Sequence, residues 1–236
     1  MNLGAAFGWG ALAASSLVLG AAAALVRRWP ARPVGLVLAF GAGALISAVS
    51  FDLAEEGAAA GGVGWVGGGL ALGALAYFLA DRAVEGMQAG AGAAGAPLAV
   101  GAFLDGIPEQ LVLGLGIAGG DAVSVGLLAA IFVSNLPEAI GSASEMRDGG
   151  ATATAVMRLW VAVAALCALA TPLGFAIGDR TSGELRAGVD GFAAGALLVM
   201  LVDSMIPDAT RRSGRVAGLV TTLGFAVAWG LSMTTA

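Results

Sequence analysis

The chain has no histidine and no lysine, a single cysteine, and only 11% charged residues in 236. Each scarcity excludes something. With one thiol and no imidazole, neither a disulfide framework nor a Cys-rich metal site can be built. The same lack argues against a metal-dependent hydrolase in the membrane, which needs His-rich or thiolate ligands to hold an activated water. Eleven basic residues, all arginine, form no patch dense enough for nucleic acid. The net charge of −5 says little about partners, because the acids lie partly inside apolar segments. A soluble module is excluded by what remains. Hydrophobic residues make up 58% of the chain, and mean hydropathy is +0.91.

Apolar runs long enough to cross ~30 Å of hydrocarbon fall at 5–26, 34–53, 63–80, 97–118, 122–141, 155–177, 189–206 and 216–233. The expected fold is an all-α polytopic membrane protein of eight spans in one integral domain. The first run lacks a positive flank before it, so it reads as a retained span and not as a cleaved signal. Arg27, Arg28, Arg32, Arg82, Arg147, Arg211, Arg212 and Arg215 would share one side, leaving Arg180 and Arg186 on the other. The positive-inside rule puts the first set in the cytoplasm and both termini outside. Arginine in place of lysine, with abundant Ala and Gly, suggests a bacterial inner membrane. The stretch 81–95 reads as a flexible, Gly-rich connector.

Carboxylates and prolines sit where neither is expected. The segments Phe103-Leu104-Asp105-Gly106-Ile107-Pro108-Glu109 and Val133-Ser134-Asn135-Leu136-Pro137-Glu138 each carry a Pro-Glu pair in mid-span. Proline removes a backbone hydrogen bond and frees the carbonyl four residues earlier, here that of Leu104 and of Val133. On a helix Asp105 shares a face with Glu109, and Ser134 with Glu138. Two such faces opposed would make an all-oxygen cage. Three ionised, unpaired acids at this depth cost on the order of 10 kcal/mol, and the spans offer no basic partner. Protons or a metal cation must neutralise them. Asn135 is either a carbonyl ligand or an interhelical hydrogen-bonding residue.

Other polar positions flank this pair. Asp203 stands four before Pro207 and is a candidate pathway or second-site residue. Asp52, Glu55 and Glu56 form either an outer vestibule for cations or a solvated acidic end. Cys167 reads as a buried small hydrophobe; Thr171, Pro172 and Ser142 read as structural. Phe40-Gly41-Ala42-Gly43-Ala44-Leu45 echoes Phe192-Ala193-Ala194-Gly195-Ala196-Leu197, and Trp9 echoes Trp160. The first three spans then repeat as the last three around the central pair, a 3+2+3 inverted repeat of the kind transporters use.

The Pro-Glu motifs in consecutive fourth and fifth spans, with about eight spans and outside termini, resemble the ZIP (Zrt/Irt-like) family of divalent metal transporters. The likeness extends to Ser50-Phe51-Asp52-Leu53-Ala54-Glu55-Glu56 and to Asp203-Ser204-Met205-Ile206-Pro207-Asp208-Ala209. The family's fourth-span His-Asn-x-Pro-Glu-Gly reads here Asp105-Gly106-Ile107-Pro108-Glu109-Gln110, and Ser134 stands for the fifth-span histidine. Thr171-Pro172 replaces a sixth-span Glu-Pro pair. The resemblance implies uptake of a divalent metal, with no enzyme activity and no resident cofactor. Asp105, Glu109, Asn135 and Glu138 would be the ligands, with Ser134, Asp203, Asp52 and Glu56 as secondary or pathway residues. Zinc is expected first. Oxygen-only ligands also suit harder ions such as manganese, and iron fits the family. The alternative is a proton-coupled carrier of an organic solute using the same acids as relays, which a sizeable apolar pocket beside Asp105 would favour. Expected partners are the metal, the bilayer and at most a second copy of the chain.

Overall fold

A computed structural model of the chain describes residues 2–90, 96–119 and 125–235. Among these residues there is no strand, and eight long helical rods account for nearly all of them. They are α1 (Leu3–Val26), α2 (Ala31–Gly61), α3 (Val63–Gly90), α4 (Ala96–Ala118), α5 (Val125–Asp148), α6 (Ala153–Arg180), α7 (Gly183–Ser213) and α8 (Val216–Thr235). All except α4 are long and apolar enough to cross a membrane. The 23 residues of α4 meet the length that ~30 Å of hydrocarbon requires. The chain is an all-α polytopic membrane protein.

Local chemistry sets the helix ends. The Asn2 side chain accepts from the Ala5 amide at 2.9 Å, and Thr152 accepts from Ala155 at 3.2 Å, so α1 and α6 open on side-chain caps. Gly214, at φ +69°, closes α7 in a conformation that only glycine adopts without strain. One expected boundary moves. The stretch 81–95 was expected to be a loop, but helix continues through Gly90, since Asp81-Arg82-Ala83-Val84-Glu85 holds no helix breaker. Residues 91–95 lie outside the described residues. The fifth helix is described from Val125; positions 122–124 of the expected span also lie outside them.

The helix irregularities fall elsewhere than at the Pro-Glu pairs. Helices α4 and α5 run as α-helix through Pro108 and Pro137. Helices α2 and α7 instead each pass through a π-helical stretch, Val49–Glu55 and Leu201–Met205. In α7 the cause is visible: Pro207 has no amide hydrogen, and widening the preceding turn accommodates the lost bond.

The packing carries the repeat seen in the sequence. Helix α3 packs along α7 and α2 along α8, while α1 packs on α5 and α4 on α6. Exchanging the first three helices with the last three, and α4 with α5, maps each contact onto its partner. The match extends to single atoms. A Cβ on Gly43 would stand 1.8 Å from the Thr221 carbonyl oxygen, and one on Gly224 2.0 Å from that of Phe40. In the other copy, a Cβ on Gly195 would stand 2.1 Å from the Leu70 oxygen, and one on Gly73 1.9 Å from that of Phe192. The echoing Phe and Gly therefore hold equivalent places in two glycine-sealed crossings. Such contacts stabilise helix pairs in lipid, where packing substitutes for the hydrophobic drive.

The dense contacts define two sets of four helices: α1, α4, α5 and α6 in one, α2, α3, α7 and α8 in the other. The main contact between the sets is α2 on α5. Arginines mark the two ends of the bundle. Arg28 and Arg147 meet Asp148, and Arg212 meets Glu145, so these three gather at the end of α5. Arg186 sits at the opposite end, against Leu115.

Candidate functional site

The site is built where α4 faces α5. Glu109 on α4 is 1% exposed, and Ser134 and Asn135 on α5 are 0% and 1% exposed. The Ser134 hydroxyl lies 3.1 Å from Glu109 Oε1 and 3.0 Å from the Ile131 carbonyl oxygen, with one hydrogen to share between them. Behind Ser134, α2 passes at Gly41, where a Cβ would come within 2.8 Å of the Ser134 Cα. Glycine thus lets a third helix close the site without adding a side chain to it.

The polar balance of this region is incomplete. Glu109 Oε2 and Asn135 Nδ2 are both buried without a hydrogen-bond partner among the described residues. A buried unpaired polar atom costs about 1–3 kcal/mol, and more for a charged group. Asn135 lies close enough to act on the Glu109 carboxyl. Its amide oxygen and nitrogen can exchange places by a flip, so it can offer either a donor or an acceptor.

Asp105 and Glu138 stand one turn away, toward the Asp208 end. Glu138 lies within electrostatic reach of Asp105, Glu109 and Asp208. Asp105 is held by Tyr77, whose hydroxyl donates to Asp105 Oδ1 across the gap from α3. None of Asp105, Glu109 and Glu138 forms an ion pair among the described residues. Nor do any three acidic or cysteine groups among them converge to hold a metal. The structure therefore brings Glu109, Ser134 and Asn135 together and leaves Asp105 and Glu138 at their margin.

The secondary positions spread out. Asp203 lies on the π-helical part of α7, with its side chain exposed. Asp52 lies on the matching part of α2, half-buried, with Oδ2 unpartnered. Glu56 is exposed one residue past that stretch. Asp203 and Asp52, two of the three acids expected as pathway residues, thus occupy the π turns, a frequent location for functional irregularities.

Several partners escaped the sequence reading. Tyr77 is the only tyrosine in the chain. Gln110, directly after Glu109, accepts from the Thr171 hydroxyl and so ties α4 to α6. Cys167 is buried against Gly106, where a Cβ would stand 2.6 Å from its sulfur, and it feels the charges of Glu109, Glu138 and Asp105. The Arg186-x-x-x-Asp190 spacing was the one legible signal, since i,i+4 pairs share a helix face.

No protein-family model matches the chain. A protein of Arabidopsis thaliana named "putative zinc transporter" is 31% identical over 191 residues, which cover 76% of this chain and 30% of that protein. The chain therefore spans less than a third of that relative's length.

Proposed function

We propose that the chain carries divalent metal ions across a membrane as a ZIP-like transporter, with zinc as first cargo and manganese or iron as alternatives. One observation carries this reading. Among the described residues, Glu109 is buried to 1% exposure with an unpartnered oxygen, and no arginine pairs with it or with Asp105 or Glu138. A carboxylate at that depth stays ionised only beside a cation and otherwise takes up a proton, so a metal that displaces the proton would satisfy it. The name of the plant relative points to the same cargo.

In this proposal Glu109 and Glu138 are the charged ligands. Asn135 and Ser134 add neutral oxygens, and Asp105 joins when Tyr77 releases it. Oxygen donors of this kind hold Mn²⁺ readily and Zn²⁺ at ~2.0–2.2 Å. Cargo would move toward the arginine-rich end, which the positive-inside rule assigns to the cytoplasm. Alternating access would come from displacement of the set containing α4 and α5 against the other set, as in transporters built from inverted repeats. The test is uptake of Zn²⁺ and Mn²⁺ by proteoliposomes. Glu109→Ala and Glu138→Ala should each lower it about 100-fold, the scale at which metal sites respond to lost partners. Unchanged flux in either variant would remove that residue from the site.

A second reading rests on an apolar cavity of about 410 Å³ lined by Tyr77, Leu104, Pro108 and Phe192, among others. The tyrosine in its wall bonds Asp105, so a lipophilic solute there could couple to a proton on that acid. This carrier would show substrate-driven proton flux that chelators leave untouched. The unpartnered Glu109 and Asn135 favour the metal, because neither lines the cavity.

A further inference from the structure

One face of α5 continues from the site toward the arginine-rich end through Glu138, Gly141 and Glu145, at i, i+3 and i+7. Arg212, near the end of α7, lies across that face. A Cβ on Gly141 would meet the Arg212 guanidinium at 2.9 Å from Nη2 and 3.3 Å from Cζ. The guanidinium therefore rests directly on the bare backbone between the two glutamates. Its Nε donates to Asp208 Oδ2 at 2.7 Å, and Nη2 lies 3.7 Å from Glu145 Oε1. The base of the side chain is wedged against α2, where a Cβ on Gly35 would come within 2.6 Å of the Arg212 Cβ. Arg212 thus begins in one helix set and ends on the other.

The opposite end has a counterpart on the same helix. Arg186 Nε bonds both oxygens of Asp190 at 2.9 Å, and its Nη2 donates to the Leu115 carbonyl of α4 at 3.0 Å. Again an arginine of α7 reaches across to the other set. The two ties differ in strength. Asp190 is 3% exposed and Arg186 15%, whereas Glu145 is 59% exposed. The Arg186 tie crosses to α4 by one 3.0 Å hydrogen bond, from a guanidinium that the nearly buried Asp190 holds in place. The Arg212 tie crosses to α5 through van der Waals contact and one long, solvated ion pair, which is worth little.

We propose that Arg212 is the releasable latch between the two helix sets. Its guanidinium covers the way from Glu138 to the arginine-rich face, and cargo leaves by that face only after it swings off Gly141. The glycine is what lets the latch seat, since any side chain at 141 would displace it. The Arg186 tie at the other end stays shut while the latch opens. This inference takes the α4–α5 acids as the cargo site, but its test needs no cargo.

Cys167 provides a native reporter, because it is the only thiol, is fully buried and stands beside the acids. The experiment measures the rate at which a charged, membrane-impermeant thiol reagent modifies Cys167 in the full chain in lipid nanodiscs. Arg212→Ala should speed modification about threefold, since the pair with Glu145 that crosses to α5 is an exposed one. Asp208→Asn should speed it less. Arg28→Ala, which removes an exposed pair at the same end, should change nothing. Melting temperatures establish that each variant is folded; should Arg212→Ala fail to fold, Arg212→Lys and Asp208→Asn carry the test. Wild-type labelling rates in the folded Arg212 and Asp208 variants would overturn the latch. Faster labelling in a protein that carries no metal would leave the latch standing and remove the cargo assignment.

Discussion

Two buried acids of this chain have opposite surroundings. Asp190, on α7, is 2% exposed and has both carboxylate oxygens on the Arg186 guanidinium. Glu109, on α4, is 1% exposed, has one oxygen on a serine and, among the described residues, no partner for the other oxygen and no arginine. The chain can thus neutralise a buried acid when the role is structural. Asp190 carries its counter-charge one turn away on its own helix and uses it to pin α4. Glu109, at similar burial, lacks one, and the two nearest acids sharpen the deficit. On the proposed function, the difference separates a resident ion pair from a site that waits for a mobile cation.

The comparison can be broken from either side. The largest stability effect belongs to Asp190→Asn, which leaves Arg186 buried without its partner and should cost about 3–5 kcal/mol. Thermal melting in lipid reads that loss, while metal uptake per folded molecule stays near wild type. Glu109→Gln should do the reverse. It should melt at or above the wild-type temperature, because an unpaired charge is removed, yet lose about 100-fold in uptake, or ~2.7 kcal/mol at the transport step. Should both variants fail in the same assay, the distinction between the two acids is wrong.

A smaller effect tests the framework that holds both acids. Gly43→Ala and Gly195→Ala press a methyl group onto Thr221 and Leu70 carbonyls that are 1.8 and 2.1 Å from the added carbon. Overpacking of this kind costs about 1–3 kcal/mol, and the mirror relation predicts similar melting losses for the two variants. Very unequal losses would mean that the two crossings are not equivalent. The smallest effect is on pH. Protons compete with metal for the carboxylates, so uptake should fall as the medium is acidified, by at most about tenfold per pH unit for each proton displaced. Uptake that rises in acid would favour the proton-coupled carrier.

Much of this architecture was legible in the sequence. In lipid, helices are recognised by long apolar runs and pack through small residues. The hydropathy pattern therefore located the spans, and the Phe-Gly-Ala echo marked two spans as copies, each of which forms one of the glycine-sealed crossings. Glu109 and Asn135 were legible for a related reason, since polar groups are so costly at that depth that they stand out. The misses concern register between helices. Nothing local says that Tyr77 meets Asp105 twenty-eight positions later, or that Arg212 lands on Gly141. The π turn of α2 was equally hidden, because no proline follows it in that helix, whereas Pro207 marks the one in α7. Helix 81–90 was missed for its glycines and charges, which read as a loop when they in fact extend a helix beyond its apolar length.

The account depends on Glu109 and its neighbours holding a cation that the chain itself does not supply. Metal content at equilibrium tests this most directly, measured by elemental analysis after incubation of the purified protein with mixed Zn²⁺ and Mn²⁺. Wild type and Asp190→Asn should retain metal after desalting, while Glu138→Ala retains about tenfold less or none. Equal metal in wild type and Glu138→Ala, or none in a folded wild type that still transports, would contradict it.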